Sequence, residues 1–296
     1  MAETINGRKT ANEISSVVRE KIKELGRVTG KRPRLVSILV GDSHDARIYV
    51  NMQKRAAEKA GIEFVTRRFD KNTTQERLIE HIHETNADDR VTAIILQKPL
   101  PGHMDHDHIV YQIDPLKDAE GIHPYNLGKI MRREADIVPC TPGAVMKILR
   151  VENVDLYGRE VVIIGHSAIV GKPLNLMMIN EMATTTVCHL ATSEKGDIRA
   201  HSLRADVLVV AVGMPEMVRG DWIKDGAVVV DVGINKGPEG IVGDVCFREA
   251  RDKASLITPV PGGVGPVTVS ILMRNVWRAF RDQHELMMED HGKSVT

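Results

Sequence analysis

Cysteine, aromatic side chains, net charge and long apolar runs are all scarce in this chain, and each scarcity removes a class of function. The three cysteines, Cys140, Cys188 and Cys246, are odd in number and far apart, with no CxxC pair. That spacing argues against a disulfide framework and a structural zinc site, and it points to a reducing cytoplasm. Aromatic residues are 3% of the chain, too few for the stacking platforms of single-strand and RNA binders. Forty Lys and Arg balance forty Asp and Glu, so no bulk field draws the molecule to nucleic acid or anionic lipid. Apolar runs such as VVIIG, VLVVAV and AVVV fall far short of the roughly 18 residues of a membrane helix. The start, MAETINGRKT, carries no apolar signal core, and an untargeted soluble protein is expected. With 296 residues there is room for one large unit or two modest domains.

Short β-branched runs alternate with amphipathic stretches, which predicts an α/β protein with parallel strands joined by crossover helices. The expected strands are 34–40, 63–69, 91–96, 160–164, 184–188, 207–212, 227–232 and 256–260. Those at 160–164, 207–212 and 227–232 are almost wholly apolar, as in a sheet covered on both faces. Expected helices are 9–25, stopped by Gly26; 45–60, stopped by Gly61; 74–86; and 266–287, after which HGKSVT reads as a frayed polar tail. The last helix sets Val269, Leu272, Val276, Ala279 and Phe280 on one face. Proline-rich breaks at 139–144 and 259–266 bracket one nucleotide-binding unit, and the final helix is free to pack back on the N-terminal half.

Several stretches could carry chemistry. In VVIIGHSAIVGKP (161–173) a strand ends at Gly165 and a loop with Ser167 and Gly171 leads into a helix. Such a turn lets backbone N–H groups approach a pyrophosphate, although a bare strand–glycine–helix turn is more often structural. Two further glycine-ended strands, at 211–213 and 231–233, strengthen the nucleotide reading. PGGVGP (261–266) reads either as a hinge or as a wall shaped for a flat ligand. Tyr49 and Gln53 stand at i and i+4 on one helix face, with Lys54 turned about 100° away. Gln97 ends a strand beside a proline-braced turn, while Asp118 and Glu120 precede a glycine, ordinarily the position of turn residues. His103, His106 and His108 invite a metal reading, but a solvated helix start is the better account, and no metal is expected.

Taken together, YVxxx at 49–53, QxPLP at 97–101, KDxxG at 117–121, PCTP at 139–142, GxSxIVGxP at 165–173, DVGIN at 231–235, GDV at 243–245 and PGGVGPxT at 261–268 resemble the bifunctional methylenetetrahydrofolate dehydrogenase/methenyltetrahydrofolate cyclohydrolase family. The resemblance spans about residues 5–280 in order. It implies two α/β domains facing a cleft, in a cytoplasmic homodimer. One is a folate-binding catalytic domain of residues 1–140 plus 267–296; the other is a Rossmann-like dinucleotide-binding domain of residues 141–266. By resemblance, Tyr49 lies against the pterin, position 53 is catalytic, Gln97 supports it, and Glu120 holds the pterin edge. Pro99, Leu100, Pro261, Gly262 and Gly263 complete the substrate site. Thr141, Gly165, His166, Ser167, Ile169, Gly171, His189, Leu190, Val212, Gly213, Gly233, Ile234 and Thr268 line the dinucleotide.

The chain departs from that pattern where it matters. Position 53 is usually lysine and here is Gln53, an amide with no titratable proton, so cyclohydrolase activity is expected to be lost or weak. Hydride transfer needs no general acid or base, and the dehydrogenase half can survive the change. Position 120 is usually aspartate; Lys98 replaces a leucine and Cys246 an aspartate. His166 and Leu190 stand where NADP-dependent members carry an arginine and a serine, which weakens recognition of a 2′-phosphate. No acidic residue ends that strand to bind a ribose diol, so NAD and NADP both stay open, with NAD favoured. Two alternatives remain: a full bifunctional enzyme in which Gln53 is tolerated or engineered, and a non-catalytic folate- and nucleotide-binding paralogue.

Overall fold

The computed structural model describes residues 1–238 and 240–293, with the side chains of all of these except Asp45 and residues 285–293. In chain order the strands are β1 (Glu3–Thr4), β2 (Arg34–Val40), β3 (Glu63–Phe69), β4 (Ala93–Leu96), β5 (Glu160–Ile164), β6 (Thr184–Cys188), β7 (Val207–Val210), β8 (Val228–Asp231), β9 (Asn235–Gly237), β10 (Gly240–Val242) and β11 (Leu256–Ile257). The helices are α1 (Gly7–Thr29), α2 (His44–Ala60), α3 (Gln75–Ala87), α4 (His106–Val110), α5 (Pro124–Met131), α6 (Cys140–Val151), α7 (Gly171–Asn180), α8 (Leu190–Glu194), α9 (Ile198–Ser202), α10 (Phe247–Ala250) and α11 (Val264–Lys293). The chain forms two compact units. Unit 1 is Met1–Asn12, Ile130–Glu134 and Pro139–Thr268; unit 2 is Glu13–Lys129, Ala135–Val138 and Val269–Thr296.

Unit 1 is built on six strands in the order β1-β11-β8-β7-β5-β6, every neighbour pair parallel. β5 pairs with β6 on one side and β7 on the other, so the chain reverses its direction of progress at β5. In open parallel sheets that reversal leaves a crevice at the carboxyl ends of the strands, where ligands bind. The central strands are buried along their length, and Val162, Ile164, Leu208, Val210 and Val229 lie in one apolar cluster. Residues 1–12 pack here rather than with the half to which their position in the chain assigns them, because β1 pairs in parallel with β11. β1 is two residues long, and the β9–β10 antiparallel hairpin consists of polar and glycine residues beside a short apolar pair, so neither stood out as a strand in the sequence.

Unit 2 holds three parallel strands in the order β3-β2-β4. Ser43 caps α2 by accepting from Ala46 N, and Gly61 ends it at φ 82, its N–H returning to the Ala57 and Glu58 carbonyls. Thr74 caps α3 by accepting from Arg77 N. α1, by contrast, runs through Gly26 to Thr29. The left-handed residue that stops it is Gly30, at φ 67, whose N–H bonds the Gly26 carbonyl. Gly26 therefore sits inside a helix that its neighbours carry across it, at the modest cost a single glycine imposes. α11 extends past its expected end to Lys293; the first three residues of the expected frayed tail are helical, and the last three lie outside the described residues. Several strands are shorter than expected, β7 by two residues and β11 by three, because their apolar runs continue into loops.

α11 is fixed in unit 2 by its apolar face, where Val269, Leu272, Val276, Ala279 and Phe280 are buried, and by polar residues: Gln283 donates to the Thr92 and Leu116 carbonyls, Arg278 and Arg281 pair with Asp136, and Asn275 reaches into the core. Asn275 is fully buried, and its Nδ2 donates to the carbonyls of Ala119 (3.0 Å) and Val138 (2.9 Å). Replacing Asn275 by Leu removes the donor from two buried carbonyls, and a loss of about 2–3 kcal/mol is expected. A lowered midpoint in urea denaturation checks it.

Candidate functional site

Unit 2 gathers polar chemistry around the end of β4. Gln97 follows the strand, is buried, and keeps a strand-like bond from its N–H to the Ile38 carbonyl. Its Nε2 donates to Gln53 Oε1 at 2.8 Å and to Ser37 Oγ at 3.1 Å. Gln53, on α2, is wholly buried, and its Nε2 is a buried donor with no partner among the described residues. Buried polar groups are nearly always paired, so that amide is a candidate for a ligand acceptor. Tyr49, one turn earlier on the same face, is 37% exposed, and Lys54 is exposed on another face. Ser37 escaped notice in the sequence; its signal is a lone hydroxyl inside the apolar run RLVSILV.

Residues 117–119 lie beside β4 through one parallel bridge. Ile94 N donates to the Lys117 carbonyl (2.7 Å), Ala119 N donates to the Ile94 carbonyl (3.1 Å), and Asp118 bridges Ile94. The buried Asp118 carboxylate accepts from Glu120 N, Gly121 N, His123 N and Asn126 Nδ2 at 2.8–3.1 Å. Burial raises its pKa, and those hydrogen bonds pull the other way. Asp118 is thus the turn residue that its place before a glycine implies. Glu120 differs: it is half-buried, and burial followed by repulsion from Asp118 pushes its carboxyl up to about 8, against the attraction of Lys98. Pro99 is exposed and Leu100 half-buried in the turn that follows. The three expected solvated histidines have protein partners at the start of α4: His103 with the Thr73 carbonyl, His106 with Asp107, and His108 with Gln75, while Asp105 caps the helix.

In unit 1 the strand-end glycines are required by space. Gly165 has φ 124, and a Cβ there would drive into the Ala211 carbonyl. A Cβ on Gly171 would meet the Gly165 carbonyl, so the loop closes tightly onto the start of α7. His166, Ser167, His189, Leu190 and Val212 line one cavity of about 320 Å³ at the ends of β5, β6 and β7. The His166 and His189 rings are 5.3 Å apart, and no Asp, Glu, Lys or Arg lines the cavity. Gly213 stands just beyond Val212, and Ile169 is half-buried within the 165–171 loop. Thr141 is in the first turn of α6, and Ile234 is 64% exposed beside Gly265. The Thr268 hydroxyl donates to the Val264 carbonyl one turn back. Pro261, Gly262 and Gly263 belong to unit 1, and Gly263 is needed there for close packing against Thr258 and Pro259, with Gly7 packing onto its carbonyl.

Two carboxylates hold these loops. Asp244 is buried; its Oδ2 accepts from Val212 N (2.7 Å) and Gly213 N (3.0 Å), and its Oδ1 from Asn235 Nδ2 (2.8 Å). Asp231 accepts from Gly233 N, Asp244 N and Val245 N. Burial pushes Asp231 up to about 6, opposed by those three N–H groups. Both lie in motifs that carried the resemblance, DVG and GDV, yet their role as acceptors for strand-end amides depends on a pairing between segments that the sequence does not show.

A reversing parallel sheet with glycine-walled strand ends and a cavity at the switch point defines a Rossmann-like dinucleotide-binding unit. The chain belongs to the tetrahydrofolate dehydrogenase/cyclohydrolase family: its NAD(P)-binding domain model matches residues 139–284 and its catalytic domain model residues 5–120. The bifunctional protein FolD of Acetivibrio thermocellus is 43% identical over 286 residues, covering 96% of this chain and 99% of that protein. The structure is also similar to the bifunctional FolD of Campylobacter jejuni (TM-score 0.91, 39% identity, covering 96% of this chain and 100% of that one). FolD of Trypanosoma brucei, solved with NADP and an inhibitor, gives a TM-score of 0.90 at 39% identity, covering 95% and 98%.

If Asp244 holds the nucleotide loop, Asp244→Ala leaves the Val212 and Gly213 amides without their acceptor. Nucleotide affinity, measured by fluorescence titration, is then expected to fall at least about tenfold, equivalent to about 1.4 kcal/mol.

Proposed function

We propose that the chain is a nicotinamide-dependent methylenetetrahydrofolate dehydrogenase whose cyclohydrolase step is weak, acting in the cytoplasm as a homodimer. The observation that carries the reading is the buried Gln53–Gln97 amide pair. Folate would be bound by unit 2 through Tyr49, Gln53, Gln97, Pro99, Leu100 and Glu120. The dinucleotide would be bound by unit 1, where the Gly165–Gly171 loop leaves room for a pyrophosphate and the neighbouring cavity for the adenosine end. A bound nicotinamide would supply the hydride acceptor for oxidation of the methylene carbon. The protein has no proton to move in that step, so neutral amides suffice if they position the ring. Opening the methenyl ring is different: water adds to the carbon and must lose a proton, and neither Gln53 nor Gln97 can take one.

NAD is the favoured cofactor. The cavity holds two imidazoles and the Leu190 alkyl chain where a 2′-phosphate would want permanent cations and hydroxyls. Full bifunctional turnover is the second reading. It is supported by the bifunctional relatives and by Glu120, which titrates near neutrality and is a candidate base.

The test is a paired assay on purified protein. Methenyl formation from methylenetetrahydrofolate is expected with NAD above NADP, with methenyl hydrolysis near the uncatalysed rate. Gln53→Lys is expected to raise hydrolysis by about 10²-fold or more, the usual worth of a positioned acid or base. Robust hydrolysis by the parent protein would establish the second reading. Binding of both ligands without turnover would establish a non-catalytic paralogue. In the same assay, His166→Arg with Leu190→Ser is expected to shift kcat/KM toward NADP by about tenfold, as one added charge-assisted contact would.

A further inference from the structure

Unit 2 has a cavity at the amino ends of β2, β3 and β4, opposite the end of β4 where Gln97 stands. Arg34 opens β2 and Glu63 opens β3, with Arg34 Nε 3.0 Å from Glu63 Oε2. Thr92, just before β4, accepts from Arg34 N through its Oγ1 at 3.1 Å. α11 supplies another wall, where Gln283 Nε2 donates to the Thr92 carbonyl. A carbonyl only accepts, so His284 donates from Nδ1 to the Phe280 carbonyl, and its buried Nε2 has no partner among the described residues. These residues, with Lys31, Arg32, Asp89 and Arg90, line about 450 Å³. A more open groove of about 320 Å³ meets the cavity at Lys31 and Arg32, which line both. One side of it is a stripe of α1, Arg19, Lys23 and Arg27 at i, i+4 and i+8, and its floor is Ile22, Gly26, Ala60 and Gly61. A Cβ on Gly26 would stand 3.0 Å from the Lys31 carbonyl, so the missing side chain lets the chain fold back beside the helix.

We propose that this joined cleft binds a small anion bearing several phosphate groups. Its charge is unbalanced although the whole chain is neutral. The lining acids are Glu63 and Asp89, while outside the lining Glu20 lies by Arg19 and Lys23, and Asp88 pairs with Arg90. With all four of those acids counted, the seven lining cations keep an excess of three. Arg32 Nε donates to the Gly61 carbonyl at 2.6 Å, which covers the end of α2. The side chains of Arg27 and Lys31 make no hydrogen bond or ion pair among the described residues. A cation in the last turn of a helix complements its dipole, and Arg27 stands there in α1; that role needs one cation and no cavity. Five of the seven cations are arginines, whose forks match pairs of phosphate oxygens. The excess charge calls for a multivalent anion. The one aromatic of the carbon type in the lining is the buried Phe280, so nothing here stacks a nucleobase. The cleft lies within unit 2 and shares no residue with the candidate folate site, so the proposal does not depend on the dehydrogenase reading.

The experiment is calorimetric titration of the full chain with sodium tripolyphosphate, alongside thermal melting. Binding is expected, and it is expected to weaken as NaCl is raised. Arg27→Ala combined with Lys31→Ala is expected to weaken it by at least about tenfold, the worth of a lost charge-assisted contact. Both residues are exposed, so the variant folds, and its melting midpoint is expected to match the parent's. Arg27→Lys combined with Lys31→Arg keeps both charges and is expected to keep most of the affinity. Absence of binding by the parent would overturn the proposal. An affinity unchanged in the double alanine variant would do the same, because it would place the anion elsewhere, such as the phosphate loop of unit 1. Lost stability with unchanged affinity would assign the cations to the helix ends alone. Retention on single-stranded nucleic acid without tripolyphosphate binding would assign the surface to a macromolecule and overturn the proposal as well.

Discussion

Backbone N–H groups at the ends of parallel strands have lost their ladder partners, and in this protein buried carboxylates take them up. Asp231 and Asp244 do so at the ends of β7 and β8, and Asp118 does so in the segment that flanks β4. An unpaired buried amide costs a kilocalorie or more, while a carboxylate that collects several of them gains charge-assisted bonds. The strand-end loops are therefore held by buried acids. Burial pushes Asp118 and Asp231 toward neutrality, and the donors each accepts pull the other way.

Against that saturated framework Gln53 stands out. It keeps a buried amino group without an acceptor among the described residues, while burial pushes the nearby Glu120 carboxyl up to about 8. In unit 1 the glycines and carboxylates fix the loops, and the cavity beyond them is lined by imidazole, hydroxyl and alkyl groups.

Much of this was legible in the chain. β2, β3, β5 and β6 fall where the apolar runs put them, and the capping residues Ser43, Gly61 and Thr74 mark the ends of α2 and α3 by local chemistry alone. Gly26 misled because a glycine signals a helix stop only where the chain turns left-handed, and that turn comes four residues later at Gly30. β1 was invisible because two residues carry no period; it exists because β11 offers it an edge.

The site divides in the same way. The sequence by itself determined the family, the α/β class, the helix face that carries Tyr49 and Gln53, and the glycine-ended strands, because these depend on residue type and on spacing along one element. Only the tertiary structure decided that Gln97 spends both amide hydrogens on Gln53 and Ser37, and that Asp244 serves the amides of Val212 and Gly213 some 30 residues away. Those relations join segments distant in the chain, and a hydrogen bond or a Coulomb interaction depends on separation in space, which the order of residues does not specify.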